Sequence, residues 1–207
     1  MRTILAVCCL AAMPAFNVNA TTVTFDNLTV AEHEPGEKVI PENTLYSGLT
    51  WLNFGTANPI KQGYIYSGYG TLQSDENDWV AFNRYADPAT ITSDTPWTWE
   101  GMQATSAWLP ENNLIIHGYL AGQEVFNRAV NVYDTSITDI AGDQALIDTL
   151  TLEMENVAHA QYGWFGLDDF QYQPAAPVPE PATMVLFLTG MGVLAIGKRG
   201  SRLKKLK

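Results

Sequence analysis

Three carboxylates and three tyrosines are the side chains in this sequence whose type and spacing best suit chemistry. Asp26 follows the alternating stretch Thr21, Val23, Phe25, and Asp168 and Asp169 precede Phe170 near the far end of the same body. If the first and last strands lie side by side, these carboxylates converge. With nearby backbone carbonyls they would offer the hard oxygen ligands that Ca²⁺ takes. Such an ion would be structural, pinning the two ends of the domain, and it is the only cofactor the residues suggest. The alternative is that Asp26 and the Asp168-Asp169 pair sit in turns and bond their own backbone. The tyrosines belong to Gly63-Tyr64-Ile65-Tyr66-Ser67-Gly68-Tyr69-Gly70. On an extended backbone Tyr64 and Tyr66 share one face, with Tyr69 close behind. Exposed aromatic faces stack on sugar rings, so Tyr64, Tyr66 and Tyr69 form the candidate glycan platform. The other reading of any one of them is ordinary core packing with its hydroxyl satisfied.

Catalytic patterns are poor by comparison. His33, His117 and His159 are scattered, and His117 falls inside an apolar alternating stretch. The sequence has no Gly-x-Ser-x-Gly elbow, no His-Glu-x-x-His pair and no phosphate-cradling glycine loop. The acidic run Asp75, Glu76, Asn77, Asp78 lacks the spacing and glycine of an EF-hand loop. Acidic neighbours such as Glu153 and Glu155 are expected by chance in a chain this acidic. The expectation is a non-catalytic protein. A glycan-processing hydrolase is the alternative, and it requires two carboxylates facing each other across roughly 5–9.5 Å.

The elements that must position these residues read as β. Leu49 and Trp51 alternate with polar neighbours, as do Val80 and Phe82. Thr90 to Thr92 reads as a short strand bounded by Pro88 and Pro96, and Trp97 and Trp99 begin another that continues past Gly101. The clearest hairpin joins 114–119 to 125–133 across Ala121-Gly122. The stretches 145–154 and 164–172 supply the last strands. No segment holds a 3.6-residue apolar period, and 32–43, with Pro35, Gly36 and Pro41, reads as a loop. Short strands at close intervals predict an all-β sandwich or barrel.

The two ends of the chain differ from this body. Met1-Arg2, an apolar stretch and Val18-Asn19-Ala20 have the three parts of a secretory signal peptide, residues 1–20, cleaved after Ala20. At the other end, Pro174 and Pro177 open an extended linker, 174–181, closing on Val178-Pro179-Glu180-Pro181. An uncharged apolar run, 182–197, follows, and then a basic tail, 198–207. The run is apolar on every face and slightly short of the ~20 residues that span a hydrocarbon core. The basic residues after it place that end in the cytoplasm. Both cysteines, Cys8 and Cys9, lie in the signal, so the body, 21–173, has no thiol or disulfide. Seven of the 11 basic residues lie outside residues 21–177. Within that range 21 acidic side chains face only Lys38, Lys61, Arg84 and Arg128, a net charge of −17 against −11 for the whole chain. Such a body does not bind nucleic acid through a general basic surface.

The Val-Pro-Glu-Pro motif, single apolar run and basic stop together resemble the PEP-CTERM sorting signal of exported bacterial proteins. The resemblance implies a processing partner, an exosortase in the inner membrane. It also implies transient anchoring by the transmembrane helix, then delivery to the cell surface or to an extracellular polysaccharide (biofilm) matrix. The body, from Val23-Thr24-Phe25-Asp26 through Trp97 to Trp108 and on to Trp164-Phe165-Gly166-Leu167-Asp168-Asp169-Phe170, is similar to the small jelly-roll domains found in such proteins. These look like galactose-binding-like and carbohydrate-binding modules. That likeness implies a jelly-roll β-sandwich with first and last strands adjacent, and a binding or structural role in the matrix.

Overall fold

Alternation of buried and exposed residues runs through most of the body and makes it an antiparallel β structure. A computed structural model describes residues 19–42, 44–73, 75, 77–155 and 162–175. All of these belong to one compact unit that ends at Ala175. The sorting residues Val178, Pro179, Glu180 and Pro181, the 182–197 run, the basic tail and most of the signal segment lie outside the described residues. Among the described residues no helix is long and apolar enough to cross a membrane. Ala20 is exposed and directly precedes the first strand.

Among the described residues twelve strands occur: β1 (Thr21–Val23), β2 (Glu32–Glu34), β3 (Glu37–Val39), β4 (Leu45–Tyr46), β5 (Leu49–Leu52), β6 (Phe54–Ala57), β7 (Val80–Asn83), β8 (Ala89–Ser106), β9 (Asn112–Leu120), β10 (Gln123–Val132), β11 (Thr138–Met154) and β12 (Phe165–Pro174). Two short helices, α1 (Pro59–Gln62) and α2 (Gly68–Leu72), interrupt them. The strands pair in the order β10-β9-β11-β8-β12-β7-β6-β3-β2, with β1 beside β12 and β5 beside the start of β8. Every pair is antiparallel. The first and last strands do lie side by side, with Val23 opposite Phe170.

β8 and β11 are long because each bends and serves two parts of the sheet. Ala89 to Thr92 pair with β5 and with 149–152 of β11, whereas Trp97 to Ser106 pair with β12 and with the first half of β11. β11 carries bulges at 143–146 and 147–149, where extra residues turn the strand. Inward side chains from both halves meet in one core, with Trp51, Trp97, Trp99, Phe54, Phe165 and Phe170 fully buried. Trp51 takes Phe25, Phe54 and Phe170 edge-on, with centroids 5.1, 5.2 and 5.3 Å away. A curled antiparallel sheet around one such core is consistent with a β-sandwich.

Three expectations change. The segment 32–43 is not wholly loop, because β2 and β3 pair there, and β3 extends the sheet through β6. Thr90 to Thr92 are not a separate strand. Pro96 sits inside β8, in the stretch 93–96 that has no ladder partner, so its missing N–H is not needed. The tyrosine segment is not extended: it is a turn between α1 and α2, closed by Ser67 N–H donating to the Tyr64 carbonyl at 3.0 Å.

One part of the sheet is buried on both faces. Along β6, Phe54 points to the main core and Ala57 to a second apolar cluster; along β7, Ala81 points to the first, and Val80 and Phe82 to the second. The cover over this second face is residues 58–73, which contribute Tyr69 and Leu72. The cover sits on glycines. A Cβ at Gly68 would lie 1.8 Å from the Ser106 carbonyl oxygen, and one at Gly166 would lie 2.8–3.0 Å from Leu72, Thr105 and Tyr69. Thr105 Oγ1 donates to the Gly68 carbonyl at 2.9 Å, fastening the same point. Gly68→Ala therefore has to lift α2 off the sheet. Its expected cost is about 1–3 kcal/mol, as for other overpacked sites, read as a lowered urea midpoint with unchanged slope; an unchanged midpoint would show that α2 does not seat there.

Candidate functional site

The cover does not close the second face completely. Between α1, the turn after it, β3, β7 and the segment flanking β12 lies an open cavity of about 530 Å³, lined by Glu37, Ala57, Gln62, Tyr64, Tyr69, Phe82, Trp108, Tyr162 and Trp164. This is within the 300–1,000 Å³ usual for small-ligand sites, and the wall is mostly aromatic as such sites are.

Local chemistry sets each wall residue. Asn58 caps α1, its Oδ1 accepting from Lys61 N–H at 3.1 Å, with Pro59 at the first helical position and Gly63 in the left-handed conformation (φ 74°) at the end. The sharp exit after Gly63 delivers Tyr64, whose carbonyl is held by Ser67 Oγ at 2.6 Å and whose N–H donates to Pro59 O at 2.7 Å. Ala107 is clamped on both sides: its N–H donates to Trp164 O (3.1 Å) and its carbonyl accepts from Gly68 N–H (3.0 Å). The next residue, Trp108, is thereby fixed at the cavity rim. Glu37 arrives because β3 pairs it with Ala57 of β6.

The rings form a corner. Tyr64 and Trp108 are 38% and 42% exposed and meet at 89°, centroids 5.2 Å apart. Tyr69 lies beneath, edge-on to Trp108 at 5.7 Å and against Phe82 at 5.9 Å. Tyr69 is 3% exposed, and its hydroxyl is buried without a hydrogen-bond partner. Burial first, then the proximity of Tyr64 and Glu37, pushes that hydroxyl well above the ordinary tyrosine range, so it stays protonated as a donor.

Of the three tyrosines singled out from sequence, the structure brings Tyr64 and Tyr69 together and leaves Tyr66 out: it is 96% exposed and does not line the cavity. Trp108, Trp164 and Glu37 complete the wall, and no local pattern marks them. They come from the ends of β8 and β12 and from the segment that reads as loop.

The carboxylate edge is also assembled. Asp26, Asp78 and Asp169 all raise Asp168 electrostatically, after the larger effect of its own burial, and its carboxyl is lifted to about 8. Backbone donors already engage two members: Trp79 N–H donates to Asp26 Oδ1 at 3.0 Å and Asp169 N–H to Asp168 Oδ1 at 2.8 Å. Among the described residues no group of three or more His, Cys, Asp or Glu is placed to hold a metal ion. The calcium expectation for Asp26, Asp168 and Asp169 thus finds carboxylates that share a field but not an assembled ligand set. His117 lies elsewhere, on the β9–β10 hairpin, 3.3 Å from Glu124 and 3.6 Å from Glu153.

No family model matches the chain, and no curated protein matches it. Among solved structures it is similar to an agarase, AgWH50C, at 10% identity and a TM-score of 0.36, over 72% of this chain and 26% of the agarase. It is also similar to TmCBM61 in complex with beta-1,4-galactotriose, at 15% identity and a TM-score of 0.26, over 60% of this chain and 81% of that one. At these scores neither comparison says what this chain binds.

The raised Asp168 has a measurable consequence. Between its unfolded value near 3.8 and the folded value of about 8, the native protein keeps a proton that the unfolded chain has released. The stabilisation is full below the lower value and is lost as pH rises through the upper one. Asp168→Asn cannot ionise, yet its side chain still offers an acceptor to Asp169 N–H. It should flatten the fall in unfolding midpoint between pH 5 and pH 9; an unchanged slope would mean that Asp168 is ionised in the folded protein.

Proposed function

We propose that this protein is an exported, non-catalytic glycan-binding module of jelly-roll type. The observation that carries the reading is the corner made by Tyr64 and Trp108 over the cavity, with Glu37 and Tyr69 in its wall. A pyranose has one apolar face and a rim of hydroxyls. The corner offers one ring to stack beneath it and a second to border its edge, while the hydroxyls can donate to the Glu37 carboxylate. Because the two exposed rings are perpendicular, they suit a unit entering a recess and not a flat crystalline surface, which needs coplanar rings.

The non-catalytic reading is supported by the carboxylate count: among the described residues of the wall Glu37 is the single acid, where hydrolysis of a glycosidic bond needs a pair. The exported reading rests on the sequence at both ends. Residues 1–20 have the parts of a signal peptide, and 178–207 have the parts of a PEP-CTERM address. In this proposal an exosortase cuts near Pro179 to Pro181 after the 182–197 helix has held the chain in the inner membrane. The body then works at the cell surface or in the polysaccharide matrix.

Two outcomes follow. Trp108→Ala and Tyr64→Ala should each weaken retardation in glycan-containing affinity gels about ten-fold, on the scale of one lost aromatic contact, while Tyr66→Ala leaves it unchanged; equal effects at all three positions would place the site elsewhere. In an exosortase-bearing host, Pro179→Ala with Pro181→Ala should leave the tail attached by mass spectrometry of the membrane fraction, whereas tail loss at the wild-type rate would remove the motif from the processing step.

A further inference from the structure

We infer that the cavity selects uncharged pyranose units and turns away glycans bearing uronate or sulfate groups. This rests on the glycan-binding reading and adds the charge class of the ligand to it.

The argument begins with where the positive charge is. Residues 21–177 contain four cations, and each lies over an aromatic ring outside the cavity wall. Lys38 Nζ stands 4.0 Å above Trp79 and donates to the Leu28 carbonyl at 2.8 Å. Lys61 Nζ lies 5.3 Å from the same ring and pairs with Glu32 at 3.4 Å. Arg84 lies 4.7 Å over Tyr85 and donates to its hydroxyl at 2.6 Å. Arg128 lies 4.6 Å over Trp99 and donates to the Ala141 carbonyl. None of the four lines the cavity. Anionic sugars are ordinarily held by Arg or Lys on their carboxylate or sulfate oxygens, and the described residues of this wall include neither.

The polar groups that do line it favour a hydroxyl. A neutral sugar hydroxyl both donates and accepts, so it can donate to the Glu37 carboxylate. A carboxylate or sulfate only accepts. Placed here, it would face the Glu37 carboxylate with no counter-charge, in the field of a body that carries a net −17. The aromatic corner also favours the uncharged ring face, since an anion over the negative face of a π-system is repelled.

The test is affinity electrophoresis of the full chain with neutral polymers (galactan, dextran, laminarin) and anionic ones (alginate, polygalacturonate, carrageenan). At least one neutral polymer should retard the chain, with Trp108→Ala weakening the shift about ten-fold. The anionic set should bind at least about ten-fold more weakly. The residual anionic binding should strengthen between 20 mM and 500 mM NaCl, values chosen to take screening from long to short range, and strengthen again in Glu37→Gln. Anionic polymers that bind as tightly as neutral ones, with Trp108→Ala weakening both alike, would overturn the charge inference and leave the glycan reading standing. If no polymer of either set retards the chain, the glycan reading falls and this inference falls with it. Retardation that persists in Trp108→Ala combined with Tyr64→Ala would place binding outside the cavity and overturn both.

Discussion

Backbone contact between Gly68 and the end of β8 is the constraint on which the outer face of this protein depends. A strand region buried on both faces needs a second layer, and here that layer is only some sixteen residues, 58–73, with two short helices. Helices of four and five residues have too few internal hydrogen bonds to hold themselves. Their order comes from the sheet: the Gly68 N–H and carbonyl are both taken by β8 and the residue just beyond it, and Thr71 Oγ1 donates to the Asp134 carbonyl at 2.6 Å. Because the cover is fastened at α2 and capped at α1, the turn between them stands away from the sheet. The aromatic recess is the space left under that turn.

The same constraint explains the aromatic geometry. Trp108 is fixed through Ala107, which is bonded to Gly68 on one side and to Trp164 on the other. Tyr69 follows Gly68 directly in sequence. The ring that forms the floor and the ring that forms the rim are therefore both positioned by the contact that seats α2. Site and cover form one mechanical unit, although their residues come from five stretches of chain far apart in sequence.

Period-two patterns were legible wherever a strand had one wet face. The hairpin of β9 and β10 has the alternation and turn residues of its kind, and the adjacency of the first and last strands follows from the jelly-roll resemblance. What was not legible depended on non-local facts. Pro96 reads as a terminator, yet it occupies the one stretch of β8 where no neighbour asks for a donor. Asn58-Pro59 with Gly63 is a helix start and stop, but four residues between them are too few to show an apolar period. At the site, Tyr64 and Tyr69 could be picked from their local cluster, whereas Trp108 looked like any other aromatic, because its partner ring lies forty-four positions earlier in the chain. Glu37 was hidden for a similar reason: its short strand is joined to the rest of the sheet by pairing with β6, far along the chain.

The placement of β12 bears on the order in which the chain can fold. This strand, the last of the described body, lies between β8 on one side and β1 and β7 on the other, and it supplies Phe165, Leu167 and Phe170 to the core. Until it arrives, β8 and β7 have no common neighbour, and the aromatic cluster around Trp51 lacks one of its walls. A chain threaded from its first residue through a narrow pore would emerge as two separate strand groups, β2-β3-β6-β7 and β5-β8-β11-β9-β10, joined only when residues near 170 are through. Such delayed closure keeps a polypeptide slack during passage and makes its final compaction a single late event on the far side.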